Sequence, residues 1–371
     1  MNTHARFLRV VLSIAVAASA AMLLLPGTAQ AAGFGRKLVA GGLDFPDTFT
    51  FTPGGRIFYG EKASGEVHIV NPTQHTNQLF FRVPNVVSNG EQGLLGLALH
   101  PDYPKTPLVY AYATRNVGGS LRDQIVKITD QNGHGKNMQV IFSSKTVSGS
   151  YHDGGRILFG PDGMLYAVQG EAHDAGNAQN LRNSAGKILR ITPSGKTAPG
   201  NPFINSSTRD RRIWAFGVRN SYGFTFDPQT NRLWETENGP ECNDELNRIV
   251  KGGNMGWGPN ENCGGSSPGD TNNSGPTPRI LPKRWYTPPI APTGAVFCRR
   301  CGLGGPSGGR LFFGAFNTAD IRRVTLTSNR LDVASQRVVF TNPNGILSME
   351  RGPGGGIYFT DPGGIYRLIR T

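Results

Sequence analysis

The chain has 371 residues, enough for two average domains or one large closed β architecture. Its 51 glycines and 26 prolines separate short apolar runs, which argues against a helical bundle and indicates a turn-rich β protein. The formal net charge of +13 comes without a long basic run or a basic stripe interleaved with aromatic residues, so we expect no nucleic-acid partner.

The first 31 residues have the pattern of an export signal. Arg6 and Arg9 precede the apolar stretch 10–25, and a small-residue cleavage site follows at 29–31. An uncleaved anchor is the alternative, but the apolar stretch is shorter than the roughly 20 residues that a spanning helix needs. We therefore predict cleavage after Ala31, no stable membrane insertion of the mature protein, and a secreted or periplasmic location.

One pattern recurs along the rest of the chain: a turn rich in Pro, Gly and Asp, followed by a short β-rich run. The six turns lie at 52–55, 100–102, 160–163, 227–229, 307–309 and 352–355. Four-stranded propeller blades repeat every ~40–50 residues, and loops between strands lengthen that spacing. The sequence predicts an all-β fold, a six-bladed β-propeller with four-stranded antiparallel blades, as a single domain over 32–371.

Two stretches stand outside the repeat. Residues 32–50 either lead into the first blade or supply the strand that closes the ring. The longest irregular insert, 258–282, is rich in Gly, Pro, Asn and Ser, and is either a surface loop or a rim over the channel mouth. No helix-length amphipathic run occurs, so a doubly wound α/β fold is not expected.

Cysteine is used four times, at Cys242, Cys263, Cys298 and Cys301. In an exported chain disulfides are the default use of cysteine, and four cysteines allow three pairings. We favour Cys242–Cys263 closing one long loop and Cys298–Cys301 as a short second bridge. A zinc site is the weaker alternative, because such sites usually need two close pairs.

Generic catalytic motifs do not account for the chain. Residues 305–309 match G-x-S-x-G, but no helix pattern follows them, so a serine nucleophile is not expected. The chain has no Walker loop and no G-x-G-x-x-G that opens a helix. Serine hydrolysis and chemistry with a dissociable nucleotide are therefore disfavoured.

Two dense polar segments remain as candidates. The first places His152 at a loop tip just before a predicted strand, although a lone histidine is usually structural. The second contains a Gly239-Pro240 turn among acidic and amide side chains, an oxygen-rich set of the kind that Ca²⁺ prefers. An acidic turn capped by its own side chains is the alternative interpretation.

Five segments occur in an order that resembles a known family. They are 90–101 (GEQGLLGLALHP), 152–156 (HDGGR), 219–220 (RN), 239–247 (GPECNDELN) and 252–257 (GGNMGW). Together they resemble the soluble quinoprotein glucose dehydrogenases and the related aldose sugar (glucose/sorbosone) dehydrogenases, over roughly residues 35–370. The resemblance implies a six-bladed propeller that binds pyrroloquinoline quinone (PQQ) and Ca²⁺ at its channel mouth, which agrees with the independent blade count.

The resemblance also assigns roles at the reacting centre. His152 would take the proton of the sugar's anomeric hydroxyl while a hydride passes to the quinone. Arg219 would face the negative charge that develops on the quinone oxygen, where a fixed cation stabilises it most. Asn220 would hydrogen-bond the quinone, and Glu91 would line the pocket.

By the same resemblance, the carbonyl oxygens of Gly239 and Pro240 would bind Ca²⁺, which would polarise the quinone as a Lewis acid. The acidic residues that follow, Asp244 and Glu245, fit a role in supporting the metal or ordering the loop. The sequence thus predicts a metal site in one Gly-Pro turn.

The carboxy-terminal third departs from the family. Where the family has one lysine and two arginines that neutralise the PQQ carboxylates, this chain has Asn317, Gly345 and Leu347. Nearby cations that could compensate are Arg322, Arg323 and Arg351. After the strand that ends near Val168 the family often has Gly-Asp, whereas this chain reads Gln-Gly-Glu at 169–171, so we expect a different substrate pocket.

The sequence therefore predicts an exported PQQ- and Ca²⁺-dependent dehydrogenase that oxidises an aldose-type sugar and passes electrons to an external quinone, dye or cytochrome. The competing hypothesis is a non-catalytic, Ca²⁺-stabilised propeller that binds glycans or a protein partner. The missing carboxylate-binding cations favour the second hypothesis. The intact set of His152, Arg219, Gly239 and Pro240 favours the first.

Overall fold

The structure is a computed structural model that describes residues 33–147, 149–258 and 275–371. The predicted signal segment 1–31, Cys263 and most of the insert 258–282 lie outside the described residues. Within the described part, one short α-helix and one 3₁₀ turn accompany an otherwise β structure.

The strands form six four-stranded antiparallel sheets, numbered here as blades in chain order. Blade 1 consists of β2 (Pro46–Phe51), β3 (Ile57–Glu61), β4 (Glu66–Asn71) and β5 (Thr76–Arg82). Blade 2 consists of β6 (Leu94–Leu99), β7 (Leu108–Val117), β8 (Ser120–Gln131) and β9 (His134–Ser144). Blade 3 consists of β10 (Ile157–Phe159), β11 (Leu165–Gln169), β12 (Lys187–Ile191) and β13 (Ile213–Phe216).

The remaining blades repeat this order. Blade 4 consists of β14 (Ser221–Phe226), β15 (Leu233–Glu237), β16 (Asp244–Ile249) and β17 (Arg284–Tyr286). Blade 5 consists of β18 (Pro292–Phe297), β19 (Leu311–Ala315), β20 (Asp320–Leu326) and β21 (Val333–Thr341). Blade 6 consists of β22 (Ser348–Arg351), β23 (Ile357–Asp361), β24 (Gly364–Ile369) and β1 (Gly35–Gly41). The six-bladed propeller is confirmed, and β1 closes the ring by pairing with β24, as one of the two sequence alternatives predicted.

Each predicted turn joins the first and second strands of a blade, which explains why the motif recurs once per blade. One of these turn glycines is Gly355, which has a φ of +84°. A Cβ atom at this position would lie 2.6 Å from the carbonyl oxygen of Arg300. Glycine is therefore required there both by the left-handed backbone and by the close neighbouring chain.

The core lies between the blades. Hydrophobic clusters fill the interface of each neighbouring pair, with Phe58 and Val109 between blades 1 and 2, and Trp234 and Phe313 between blades 4 and 5. Trp234 is fully buried, and burying one large apolar side chain contributes about 2–3 kcal/mol. Packing sheet against sheet around a ring leaves the first strands of the blades at the centre.

Arg156, just before β10 of blade 3, ties the centre of the ring together. Its guanidinium donates to main-chain carbonyl oxygens on four other blades, at 2.7–2.9 Å: those of Asp47, Leu95, Tyr222 and Leu347. The Asp47 carboxylate also lies 3.6 Å from the guanidinium. One side chain therefore links five blades and satisfies carbonyl groups that would otherwise be buried without a donor.

Two cavities open at opposite ends of the first strands. We call the one lined by Asp47, His152, Arg219 and Leu347 the upper cavity, and it has a volume of about 470 Å³. The other, the lower cavity, lies at the carboxyl ends of these strands around Phe51, Glu350 and Arg351, with a volume of about 770 Å³.

Candidate functional site

The upper cavity brings together most of the site residues that the sequence predicted. Seven of the eight predicted catalytic, cofactor and metal residues line it: Glu91, His152, Arg219, Asn220, Gly239, Pro240 and Asp244. They come from loops of blades 2, 3 and 4 and from the first residue of β16, separated by up to about 150 positions in sequence. The larger lower cavity contains none of them.

His152 is held from both sides. Its main-chain N–H donates to the Glu91 carboxylate at 2.7 Å, with a φ of +62° that places the residue in a left-handed turn. Its ring Nδ1 is hydrogen-bonded to the carboxylate of Glu171, which is buried just after β11. With Nδ1–H donated to that carboxylate, Nε2 is the ring nitrogen left with a lone pair toward the cavity.

Glu171 is the residue that sequence reasoning missed. The stretch 169–171 departs from the family's Gly-Asp, yet the carboxylate of Glu171 is hydrogen-bonded to the imidazole of His152. A buried carboxylate fixes the tautomer of a histidine and stabilises its protonated form. The sequence did contain a signal for this role, because glutamate carries the same carboxylate as the family's aspartate on a side chain that is one methylene longer.

Glu91 joins the histidine loop to blade 4. The same Oε2 atom accepts from the main chain of His152 and from the side-chain amide of Asn220 at 2.9 Å. Asn220 is only 1% exposed, so this hydrogen bond fixes the orientation of its amide. Glu91 therefore does more than line the pocket: one of its carboxylate oxygens connects two predicted site residues, His152 and Asn220.

Arg219 lies between β13 and β14 with its guanidinium against the Gly-Pro turn. One terminal nitrogen donates to the carbonyl oxygens of Asn238 and Gly239, at 2.9 and 2.8 Å. The guanidinium carbon lies 5.4 Å from the centre of the Trp257 ring, within the range of a cation–π interaction. A fixed positive charge thus faces the same cavity as His152.

The predicted metal residues divide into three groups. Gly239 and Pro240 line the cavity, as expected for carbonyl ligands. Asp244 orders the loop, because its two carboxylate oxygens accept from the main-chain N–H groups of Gly239, Ile290 and Ala291 at 2.6–2.8 Å. Glu245 is buried on β16 opposite Glu237 and does not line the cavity.

Burial shapes the charges around the cavity. Burial raises the pKa of Asp244, while the three main-chain hydrogen bonds partly oppose that effect. Burial also raises the pKa of Asp47, against the neighbouring charge of Arg156. It lowers the pKa of the Lys62 ammonium, which lies near both Asp47 and Glu91.

The donor groups of the cavity fit a planar anionic quinone and a hard cation, although two neutral side chains occupy positions where the family has cations. The cavity supplies a guanidinium and an amide beside carbonyl oxygens, which are the ligand atoms that Ca²⁺ prefers. Asn317 and Leu347, at two positions where the family has cations, line the cavity as neutral side chains, and Gly345 does not line it.

The compensating arginines proposed from sequence lie elsewhere. Arg322 is paired with Asp320 on β20, Arg323 donates to Ser307, and Arg351 lines the lower cavity. That part of the prediction is wrong, because strand direction carries these side chains away from the upper cavity. Among the described residues, the lysine that lines it beside Arg219 is Lys62, which sequence reasoning did not single out.

The cysteines are only partly described. The Sγ atoms of Cys298 and Cys301 lie at bonding distance, with their Cα atoms 5.2 Å apart. The favoured pairing of Cys242 with Cys263 stays a prediction, because Cys263 lies outside the described residues.

The fold and this cavity define a propeller with a histidine–carboxylate pair and an arginine facing one pocket. Residues 43–370 match the family model described as Glucose / Sorbosone dehydrogenase, and the chain belongs to this family. It is 29% identical over 257 residues to quinoprotein glucose dehydrogenase B of Acinetobacter calcoaceticus, covering 62% of this chain and 53% of that protein.

Two aldose sugar dehydrogenases are also similar to this chain. Aldose sugar dehydrogenase YliI of Escherichia coli K12 is 31% identical over 226 residues, covering 58% of this chain and 59% of that protein. The chain thus spans between half and three-fifths of the length of the two curated relatives. The PQQ-bound structure of aldose sugar dehydrogenase from Streptomyces coelicolor superposes with a TM-score of 0.77 at 27% identity, covering 92% and 99% of the two chains.

The helices in the described part of the chain are too short or too polar to span a bilayer.

Proposed function

We propose that this protein is an oxidoreductase that oxidises an aldose-type sugar, with PQQ as the bound electron acceptor and Ca²⁺ beside it. The observation that carries the proposal is the His152 ring, which is hydrogen-bonded to Glu171 and lines the same cavity as Arg219. A base and a fixed cation across one cavity suit the removal of a proton and a hydride from one hydroxyl-bearing carbon.

The chain's own residues divide the work as follows. His152 Nε2 accepts the proton of the anomeric hydroxyl, and Glu171 stabilises the imidazolium that results. The C–H bond of the same carbon gives up its hydride, so the hydroxyl carbon becomes the carbonyl carbon of a lactone. When bound, the quinone supplies the acceptor for that electron pair. Arg219 and Asn220 would contact it, and Gly239 and Pro240 would offer carbonyl oxygens to Ca²⁺.

Substitution of His152 tests the proposal. We expect His152→Ala to reduce dye-coupled sugar oxidation by about 10²–10⁴-fold while PQQ binding stays nearly unchanged, because a general base acts in the transition state. His100→Ala, at the lower cavity, is the matched control and should keep full activity. Activity that survives His152→Ala would mean that another group is the base.

The neutral side chains of Asn317 and Leu347 support a second candidate, a Ca²⁺-stabilised propeller that binds glycans or a protein without catalysis. The same experiment separates the two. If the wild-type protein, supplied with PQQ and Ca²⁺, reduces no dye with any aldose tested, the result favours the binding function over catalysis.

We further propose that residues 1–31 direct export and are cleaved, that the mature chain works in the periplasm or outside the cell, and that an external quinone, dye or cytochrome reoxidises it. Export would suit two disulfides. Mass spectrometry of the mature protein should place its first residue at Ala32, and a denatured sample without reductant should titrate no free thiol.

A further inference from the structure

The upper cavity has few cations for an anionic ligand. The acidic and basic side chains that line it are Asp47, Lys62, Glu91, His152, Arg219 and Asp244. Of the lysine and arginine side chains among them, Arg219 is already hydrogen-bonded to two carbonyl oxygens of the Gly-Pro turn. Lys62 is therefore the cation to consider for any negative group that enters from the side of blade 1.

Lys62 follows β3 and is held in one direction by its neighbours. Its main-chain N–H donates to Phe45, and its own carbonyl accepts from Leu94. A Cβ atom on Gly93 would lie 2.6 Å from Cγ of Lys62, so only glycine lets the lysine stem pass at this point. The ammonium then reaches the carbonyl oxygen of Gly90 at 2.7 Å.

The ammonium has donor capacity left. A lysine ammonium carries three N–H donors, and the hydrogen bond to Gly90 uses one of them. Among the described residues, none of the ion pairs includes Lys62. Glu91 is already engaged by His152 and Asn220, and Asp47 by Arg156. A half-buried ammonium with free donors gains more from an anionic partner than an exposed one does.

We propose that Lys62 binds a carboxylate of PQQ in the upper cavity, and so takes over part of the charge neutralisation that Asn317, Gly345 and Leu347 cannot provide. This inference rests on the proposed function. It assigns part of the neutralisation of the PQQ carboxylates to a turn of blade 1, whereas the resemblance assigns that neutralisation to positions in blades 5 and 6.

Equilibrium binding to the apo-protein tests the inference without any turnover. PQQ is titrated at fixed Ca²⁺ into the wild type and three variants: Lys62→Met, Lys62→Arg and Lys136→Met. Methionine keeps the apolar stem and removes the charge, and arginine keeps the charge. Lys136 is an exposed lysine on β9 and controls for the loss of one positive charge.

We expect Lys62→Met to bind PQQ about tenfold or more weakly and with a flatter dependence on salt, because a charge-assisted contact is lost. Lys62→Arg should stay within about threefold of the wild type, and Lys136→Met should match it. With the uncharged trimethyl ester of PQQ as the probe, the difference between the wild type and Lys62→Met should disappear.

The failures are distinguishable. If the wild type binds PQQ and Lys62→Met binds it equally well with the same salt dependence, the role of Lys62 is overturned and the proposed function stands. A weakening that persists with the trimethyl ester also overturns it, because the effect is then not one of charge. If the wild type binds no PQQ, the proposed function and this inference both fail.

Discussion

The Arg219 guanidinium donates a hydrogen bond of 2.8 Å to the carbonyl oxygen of Gly239, the atom that the family resemblance assigns to Ca²⁺. A cation bound to that oxygen would meet the guanidinium at close range, and like charges in a half-buried site repel strongly. If the turn binds Ca²⁺ as proposed, Arg219 and Ca²⁺ would compete for this carbonyl group in the protein without cofactor.

The first prediction concerns this competition. Arg219→Gln should bind Ca²⁺ about tenfold more tightly than the wild type in the absence of PQQ, because the carbonyl is freed and a repulsive charge is removed. Thermal melting at increasing Ca²⁺ gives the apparent affinity, since a ligand of the native state raises stability by mass action. Arg182→Gln, at an exposed arginine, controls for net charge. If the apparent affinity of Arg219→Gln for Ca²⁺ equals that of the wild type, the assignment of the Gly239 carbonyl as a Ca²⁺ ligand is contradicted.

The second prediction concerns Glu171 as a positioning residue. Glu171→Gln should lower kcat by about tenfold or more and leave KM for the sugar nearly unchanged, because a neutral amide stabilises the imidazolium less than a carboxylate does. Glu171→Asp should recover part of the rate. If Glu171→Gln keeps the wild-type kcat, Glu171 has only a structural role.

The third prediction concerns the centre of the ring. Arg156→Met should lower the free energy of unfolding by about 3–5 kcal/mol, because it leaves four carbonyl groups without their donor and the Asp47 carboxylate without its ion-pair partner. Arg212→Met removes an ion pair with Asp210 at a more exposed position and should cost about 1 kcal/mol or less. Urea unfolding of both variants makes the comparison. Equal losses would show that Arg156 does not join the blades.

The fourth prediction concerns pH and the lower cavity. Burial raises the pKa of Glu350 from 4.5 to about 7, although Arg156 and Arg351 oppose the shift. Between these two values the folded state binds more protons than the unfolded chain, so this group makes stability fall as pH rises from 4.5 to 7.

Relative to the wild type, Glu350→Gln should therefore become more stable as the pH rises through that window. The difference should be smallest near pH 4 and reach up to about 2–3 kcal/mol by pH 8, above the window. Glu241→Gln, at an exposed acid for which no such burial exists, is the control. Urea unfolding at pH 4, 6 and 8 supplies the values. A constant difference between Glu350→Gln and the wild type at all three pH values would show that this carboxyl does not titrate in the window.

The blade count was predictable because turn chemistry is local. A turn such as 160–163 needs only its own proline, aspartate and glycine, and Gly163 indeed adopts a φ of +72°. The predicted site residues could be listed for a similar reason: they sit in short motifs whose order is visible in the chain. Composition and local pattern did not reveal which of their side chains would meet.

The wrong and missed assignments all concern contacts between distant segments. Arg322 and Arg351 are close in sequence to the neutral positions 317 and 347, yet they lie on strands that carry them to an acidic partner or to the lower cavity. Lys62 is more than 250 positions from Asn317, yet both line the upper cavity. Sequence proximity therefore misled the search for the missing cations.

The sequence by itself determined the turns, the strands and the residue types at the cavity, because these depend on local backbone preferences and on short motifs. The tertiary structure decided the pairings: Glu171 with His152, Arg219 with the Gly239 carbonyl, and Arg156 with Leu347, 191 positions away. The physical reason is ring closure. It brings the first strands of all six blades to one axis, where a single side chain can reach several blades at once.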